Sequence, residues 1–242
     1  YYVGNFFKRF IKSLYLSVIF SKEYVLGFAG GSKIHKELFR YYGMCNDRIF
    51  LMPMMINNTR FYRTKKKKDI IFTFLYVGRL INTKNVDILC EKFIKNFSKK
   101  KAQLIIVGDG DLFKKYKTLY ASSKVHFKGN IFGEELIDIY HNSSVFILPS
   151  TSEQWGLVIN EALCSGLPVI VRKEVGAIYD LILNKNTGFI IDNWFELENY
   201  MLELYNNRDL IEEYSHNAVT LMKEQWNYKL YEYNLLKAIN IY

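Results

Sequence analysis

From residue 70 onward, short apolar runs alternate with longer amphipathic segments. The runs are rich in β-branched and aromatic residues, which favour strands; they span 70–77, 103–107, 124–127, 145–149, 168–171 and 188–191. The segments between them repeat their apolar positions with the helical period; they span 85–98, 111–121, 133–142, 156–164 and 177–183. This alternation predicts an α/β fold with a Rossmann-like parallel sheet and helices on both of its faces.

The two ends of the chain have other patterns. Residues 1–62 predict a basic helix, a short strand, a second helix and a second strand, which is too little to close a sheet. We therefore expect a partial second Rossmann-like domain at 1–62, a complete one at 63–225 and a C-terminal helix at 226–242. The run TRFYRTKKKKD, with four consecutive lysines, predicts a linker. The first residue is Tyr1 and not methionine, so we expect a fragment whose N-terminal part is absent.

The net charge of the chain limits the classes of binding partner but does not identify one. The formal net charge of +9 predicts an anionic partner, which leaves nucleic acid, a nucleotide and an anionic membrane surface open. Cys45, Cys90 and Cys164 are widely spaced and indicate core residues of a reducing cytoplasm, not a disulfide framework or a zinc site. The sequence has no apolar run of about 18 residues that would predict a spanning helix.

In an open parallel sheet, the ligand binds beyond the carboxyl ends of the strands. The first predicted strand ends in VGRLINTKN, where Gly78 and Arg79 leave the strand and Lys84 precedes a helix. Two cations beside free helix N–H groups form an anion site. The alternative is that both are surface cations of a basic protein.

The next two strand ends carry weaker signals. VGDGD, with Gly108 and Gly110, is similar to a dinucleotide-binding turn, but Phe113 stands where that motif has its third glycine. A tight turn with Asp111 capping the following helix is the favoured interpretation. His126 lies inside the next strand and is expected to be a core or hydrogen-bonded histidine.

The fourth strand leads into STSEQWGLVINEALC, in which Glu153 precedes a helix and Glu161 lies within it. Carboxylates accept hydrogen bonds from sugar or ribose hydroxyls, whereas cations and free N–H groups suit phosphate. Gly156 lets the backbone approach a ligand closely. The alternative makes Glu153 a residue favoured by the helix dipole and Glu161 a half-exposed helix residue.

Six blocks now fall into a recognisable order: FLYVGRLINTKN, LIIVGDGD, VHFKGN, LPSTSEQWGLVINEALCSGLPVI, GAIYDLI and NTGFII. Over about residues 48–230 they resemble the C-terminal domain of retaining glycosyltransferases of family 4, which have the GT-B fold. The most specific element is the E-x7-E motif, met by Glu153 and Glu161. The segment MPMMINNTRFY resembles the one that leaves the N-terminal domain in that family.

The resemblance implies a donor, a UDP- or GDP-linked sugar, bound in 63–225, and a glycan or lipid-linked acceptor bound largely by the domain whose remnant is 1–62. It implies no cofactor and no metal. It gives catalytic roles to Arg79 and Lys84 on the diphosphate and to Glu153 on hydroxyls of the transferred sugar. Retention fits a same-face substitution in which the leaving phosphate assists deprotonation of the acceptor.

The resemblance also implies which residues bind the rest of the donor. Glu161 would hold the ribose hydroxyls, and Asn130 and Ile131 would meet the base. Backbone N–H groups near the strand end and the helix start would face the sugar and phosphates; those positions are Gly78, Trp155, Gly156 and Leu157.

This sequence departs from the family pattern in three places. Trp155 stands where phenylalanine is usual, and Asp180 stands where glutamate is common. The N-terminal sheet, with its glycine-rich loop and acceptor-side histidine, is missing, and neither His35 nor His141 matches that histidine. We therefore expect the chain alone to bind donor weakly and to transfer poorly.

Other functions stay open at this point. A GT-B epimerase would lack the E-x7-E pattern, and a phosphorylase would need a pyridoxal-binding lysine that no motif marks. A basic nucleic-acid-binding module would use exposed aromatics, but the aromatic residues follow strand and helix periods. The helix FFKRFIKSLYLSVIF either contacts an anionic membrane or packs against another domain. The favoured setting is cytoplasmic, in cell-surface polysaccharide synthesis, and a place at the inner face of the membrane stays open with the role of that helix.

Overall fold

The computed structural model describes residues 6–63 and 71–240, with side chains from residue 10 onward. The lysine run that predicts a linker lies outside the described residues. None of the described helices is long and apolar enough to cross a membrane.

Strands and helices alternate along most of the described chain. The strands are β1 (Gly27–Ala29), β2 (Ile49–Leu51), β3 (Phe72–Val77), β4 (Ala102–Val107), β5 (Val125–Gly129), β6 (Val145–Leu148), β7 (Val169–Arg172) and β8 (Gly188–Ile191). The helices are α1 (Phe6–Phe20), α2 (Ile34–Tyr41), α3 (Asn58–Phe61), α4 (Val86–Phe97), α5 (Phe113–Tyr120), α6 (Gly133–Asn142), α7 (Leu157–Cys164), α8 (Ile178–Leu181), α9 (Trp194–Asn206), α10 (Arg208–Glu224) and α11 (Tyr228–Ile239). The helix predicted over 177–183 is shorter than expected, at four residues.

The described residues form two compact units, one made of the chain up to Met54 together with that from Asn227 onward, the other of Met55–Trp226. The sequence places the corresponding boundaries at 62 and 225; the roles assigned to those domains stay predictions. In the first unit, β1 and β2 pair in parallel, and α2 and α11 contact β2. Its small core is built on Ala29, Met44 and Ile49.

The α1 helix of the first unit exposes a run of large apolar side chains: Phe10, Ile11, Leu14, Tyr15 and Val18. Such a face, with basic residues in the same helix, is what an anionic membrane surface would contact. That contact stays a prediction, and binding of the chain to anionic vesicles at low salt would test it.

The second unit confirms the predicted α/β fold. Within the described residues it contains a six-stranded sheet in the order β5-β4-β3-β6-β7-β8, and every pairing is parallel. The chain winds outward from β3 in one direction and then from β6 in the other. The direction of winding therefore reverses between β3 and β6, and ligands of such sheets bind in the crevice at that switch point.

The sheet is buried, and its central strands are almost entirely apolar. All six positions of β3 and all four of β6 are buried, as expected for parallel strands covered by helices. Phe74 of β3 packs against Phe93 and Phe97 of α4, whose rings are stacked 5.4 Å apart. This packing fixes β3, and with it the position of its carboxyl end.

A capping box begins α9. Asn193 Oδ1 accepts hydrogen bonds from the N–H groups of Phe195 and Glu196, each at 3.0 Å, and the Glu196 carboxylate accepts from the Asn193 N–H. Substitution Asn193→Ala should lower the free energy of unfolding by about 1 kcal/mol, because it leaves two helix N–H groups without their acceptor. Urea unfolding measures this loss. Asn206→Ala, an exposed change at the other end of α9, is the control and should leave stability nearly unchanged.

Candidate functional site

The loops after β3, β4 and β5 are joined to one another by main-chain hydrogen bonds. The Gly78 N–H donates to Val107 O at 3.0 Å, the Leu80 N–H to Asp109 O at 2.9 Å, and the Gly108 N–H to Gly129 O at 2.8 Å. These bonds continue the sheet beyond its strands. They fix the main chain at the carboxyl edge of the sheet, and with it the positions from which side chains extend.

The glycines of VGDGD serve this close approach of two main chains. A Cβ atom on Gly108 would lie 2.0 Å from Gly78 O, and one on Gly110 would lie 2.7 Å from Leu80 O. The turn therefore has a structural explanation that needs no dinucleotide. The prediction that Asp111 caps the next helix is wrong: Leu112 is the N-cap of α5 and no side chain caps it. A helix that starts at Phe113 leaves Asp111 one position too early.

Arg79 follows β3, and a hydrogen bond from a buried side chain fixes its main-chain carbonyl. The hydroxyl of Tyr76, a fully buried residue, donates to Arg79 O at 2.8 Å. Burial and the charge of Glu153 raise the pKa of Tyr76, so the hydroxyl remains a donor. The Arg79 residue itself is exposed, and its guanidinium can reach a ligand at the strand end.

Lys84 lies at the switch point because two loops are bonded together there. The Asn85 side chain donates to Pro149 O at 2.9 Å, and the Thr151 N–H donates to Thr83 O at 2.9 Å. Asn85 adopts the left-handed conformation (φ 49°), which turns the chain from Lys84 into α4. The loop after β3 is thereby joined to the loop after β6.

This joining brings two predicted site residues into contact. The Lys84 ammonium forms an ion pair with Glu153 Oε2, and the two side chains are only 10% and 24% exposed. They are separated by 69 positions in sequence. Together the lysine and the glutamate place one donor of charge-assisted hydrogen bonds and one acceptor at the switch point.

The path of the Glu153 loop is set by the loop after β7. The Gly176 N–H donates to Glu153 O at 3.0 Å, and the Ala177 N–H donates to Trp155 O at 3.1 Å. A Cβ atom on Gly176 would lie 1.8 Å from Gln154 O. The two main chains are therefore in direct contact at the position that carries Glu153.

Gly156 starts α7 in a conformation that favours glycine, with φ 92° and ψ 66°. Leu157 follows as the first helical residue, and the first N–H groups of a helix lack partners inside it. The predicted role of the Gly156 and Leu157 N–H groups is compatible with this placement. It stays a prediction.

The side chain of Trp155 belongs to the core. It is 3% exposed, its ring is stacked on Trp226 with centroids 5.3 Å apart, and Nε1 donates to Asn160 Oδ1 at 2.9 Å. The interior supplies the indole with a stacking partner, Trp226, and an acceptor, Asn160. An indole can therefore stand where the family resemblance implies phenylalanine. Any contact of Trp155 with a ligand would have to come from its main chain.

Glu161 lies on α7 and contacts a different partner from that of Glu153. Its Oε2 accepts a hydrogen bond from the hydroxyl of Tyr140 at 2.7 Å. Burial raises the pKa of Glu161, and the Tyr140 hydrogen bond acts in the opposite direction. Glu161 is a partly buried carboxylate with one oxygen already engaged.

Asn130 and Ile131 follow β5, at the end of the sheet farthest from β8. Asn130 is exposed and Ile131 half-buried, and the loop is tied to β4 through Gly129. His126 is half-buried inside β5, and its pKa is lowered by burial and then by Lys128. No contact described here joins Asn130 or Ile131 to Lys84 and Glu153, so their assignment to a base stays a prediction.

Three residues of the site were missed by sequence reasoning: Tyr76, Asn85 and Tyr140. Each places a predicted residue but lies inside a strand or helix pattern, or at its boundary. Asn85 alone carried a signal, since asparagine is among the few non-glycine residues that adopt left-handed conformations. The two tyrosines follow ordinary apolar periodicity.

The fold is that of the GT-B glycosyltransferases. A family model described as Glycosyl transferases group 1 matches residues 56–220, most of the chain, and the chain belongs to that family. The matched range contains every residue predicted for the donor site.

Individual relatives match smaller shares. The chain is 33% identical over 121 residues to sulfoquinovosyl transferase of Arabidopsis thaliana, covering 49% of this chain and 23% of that protein. It is 26% identical over 187 residues to alpha-monoglucosyldiacylglycerol synthase of Acholeplasma laidlawii, covering 69% and 46%. The Anabaena protein HepE, solved in complex with UDP and glucose, superposes with a TM-score of 0.75 at 17% identity, covering 97% of this chain and 69% of that one. The chain thus spans half or less of the length of these two curated relatives.

Proposed function

We propose that this chain supplies the donor-binding half of a retaining, family 4 glycosyltransferase that uses a nucleotide-diphosphate sugar. The observation that carries the proposal is the Lys84–Glu153 ion pair at the switch point, on the same edge of the sheet as the exposed Arg79 and the start of α7. One basic and one acidic group at this point suit a ligand that has both phosphates and hydroxyls. A simple anion site would not need the carboxylate.

In the proposed mechanism, Arg79 and Lys84 hold the diphosphate and stabilise the charge that grows on it as the glycosidic bond breaks. Glu153 accepts hydrogen bonds from hydroxyls of the transferred sugar. The leaving phosphate, still on the same face of the sugar, assists deprotonation of the acceptor hydroxyl. That order of events gives retention without a carboxylate nucleophile.

The ion pair implies a change on donor binding. In the free protein, Lys84 and Glu153 satisfy each other in a largely buried position. A bound diphosphate offers the ammonium a second anionic partner, while the Glu153 oxygen that Lys84 does not hold is available to sugar hydroxyls. We propose that Lys84 bridges the diphosphate and Glu153, so that the donor completes a network that the free protein holds in part.

The comparisons support the two classes of substrate. HepE was solved in complex with UDP and glucose, which favours a UDP-linked donor, while GDP stays an alternative. The name of the Acholeplasma relative includes a diacylglycerol, which supports a lipid-linked acceptor, while a glycan acceptor stays the alternative. A role in cell-surface polysaccharide synthesis is proposed with that acceptor. The family match does not favour a nucleic-acid-binding module.

Calorimetric titration of the chain with UDP and GDP, each with Mg²⁺ and with a chelator, tests the proposal. We expect one of the two nucleotides to bind, with the same affinity under both conditions, because side chains and helix N–H groups supply the positive charge. A folded chain that binds neither nucleotide would contradict the proposed donor site. Binding that disappears with the chelator would contradict only its independence of metal.

A further inference from the structure

Tyr140 occupies a defined position beside Glu161. It lies in the last turn of α6, is fully buried, and directs its hydroxyl at Glu161 Oε2 over 2.7 Å. Burial and the neighbouring carboxylate raise the pKa of Tyr140 well above its ordinary value, so the phenol stays protonated and donates a hydrogen bond. The hydrogen bond therefore runs from tyrosine to glutamate.

The ring of Tyr140 is held by two other aromatic residues. Phe61, at the end of α3, meets it edge to face with centroids 5.8 Å apart, and Phe146 of β6 lies 6.0 Å away. A tyrosine ring has few rotamers, and these contacts leave its hydroxyl little freedom. The hydroxyl of Tyr140 is thus held in one position by contacts from α3 and from the sheet. Its hydrogen bond orients Glu161.

A carboxylate that is largely removed from water needs hydrogen-bond donors to remain charged. Tyr140 supplies one donor to Oε2, and a carboxylate has about four acceptor positions in all. Holding Oε2 restricts the orientation of the group and leaves Oε1 to accept from a ligand. Without the tyrosine hydroxyl, Glu161 could turn about its side-chain bonds, and burial would favour its neutral form.

We propose that Tyr140 is a positioning residue that orients Glu161 toward the ribose hydroxyls of the donor nucleotide and so sets a preference for ribonucleotides over deoxyribonucleotides. This inference rests on the proposed function, because it assumes that the nucleotide binds with its ribose at Glu161. It goes beyond that function by assigning the selectivity for ribose over deoxyribose in the nucleotide to Tyr140, a residue proposed to make no contact with the ligand.

The test is titration of the chain and of Tyr140→Phe with UDP, with GDP, and with the 2′-deoxy form of whichever nucleotide binds. We expect the unaltered chain to prefer the ribonucleotide by about 10-fold or more, the value of a hydrogen bond to a charged group. In Tyr140→Phe the ribonucleotide should bind roughly 5- to 10-fold more weakly. The deoxynucleotide should bind as before, within about 2-fold, since it makes less use of Glu161.

Two further variants separate positioning from packing. In Glu161→Gln the preference for ribose should fall, and adding Tyr140→Phe to it should cause little further loss, because the tyrosine acts through the glutamate. Tyr116→Phe changes a buried tyrosine of α5 and should leave the preference intact. Thermal unfolding of each variant shows whether it is folded.

Each outcome decides a different statement. Equal weakening of ribo- and deoxynucleotide binding in Tyr140→Phe would make the tyrosine a packing residue and overturn this inference alone. Unchanged binding of both nucleotides in Tyr140→Phe would also overturn this inference alone. A folded, unaltered chain that binds neither UDP nor GDP would overturn the proposed function and this inference together.

Discussion

Replacing Lys84 by alanine is expected to weaken nucleoside-diphosphate binding by about 10- to 100-fold, because a charge-assisted hydrogen bond to the diphosphate is lost. The same change should lower the free energy of unfolding by about 3 kcal/mol, since it leaves Glu153, only 24% exposed, without its counter-charge. Calorimetric titration measures the first effect and urea unfolding the second. Lys99→Ala removes the same charge from an exposed position after α4 and is the control.

The two effects of Lys84 can be separated with a paired substitution. In the double variant Lys84→Met with Glu153→Gln, no uncompensated charge remains, so most of the lost stability should return. Nucleotide binding should not return, because the cation is still absent. Recovery of both properties would show that Lys84 serves only to neutralise Glu153 and would remove it from the donor site.

Substitution Gly108→Ala is expected to lower the free energy of unfolding by about 3 kcal/mol or more. The added Cβ atom would lie 2.0 Å from Gly78 O, a main-chain atom, and the backbone there has φ +128°, which L-residues avoid. The loops after β3 and β4 would have to separate, which would also displace Arg79. Both stability and nucleotide affinity should therefore fall.

Gly133→Ala is the matched control for this change. Gly133 also has a positive φ, +64°, but a Cβ atom there meets nothing within 4 Å. Its replacement should cost only the backbone term, about 1–2 kcal/mol. If urea unfolding gives equal losses for the two variants, contact between the loops does not contribute and conformational strain alone explains the glycine.

The fold could be predicted from the sequence because each strand of the buried sheet is a short apolar run with a distinct boundary. The run at 103–107 corresponds to β4, Ala102–Val107, and the one at 188–191 to β8. Parallel strands then place their carboxyl ends at one edge, so Arg79, Lys84 and Glu153 could be assigned to one edge before any contact was known.

The contacts within that edge could not be predicted, because they depend on how loops meet. Nothing local in the sequence indicates that Lys84 pairs with a residue 69 positions later. The side chain of Trp155 could not be assigned to the core without its partner Trp226, and Tyr140 has the pattern of any buried helix residue. The cap assigned to Asp111 failed because the start of α5 is set by the neighbouring loop, where Leu112 N–H donates to Leu80 O.

The contact between Gly176 and the carbonyl of Gln154 affects how substitutions near the site are interpreted. Any side chain at position 176 would push the segment that carries Glu153 away from the sheet, although Gly176 itself has no side chain with which to bind a sugar. Loss of transfer after a change there would resemble loss of a substrate contact. The preference for the ribonucleotide over its 2′-deoxy form, which we propose depends on Glu161, should survive such a change and so identify the defect as a displaced main chain.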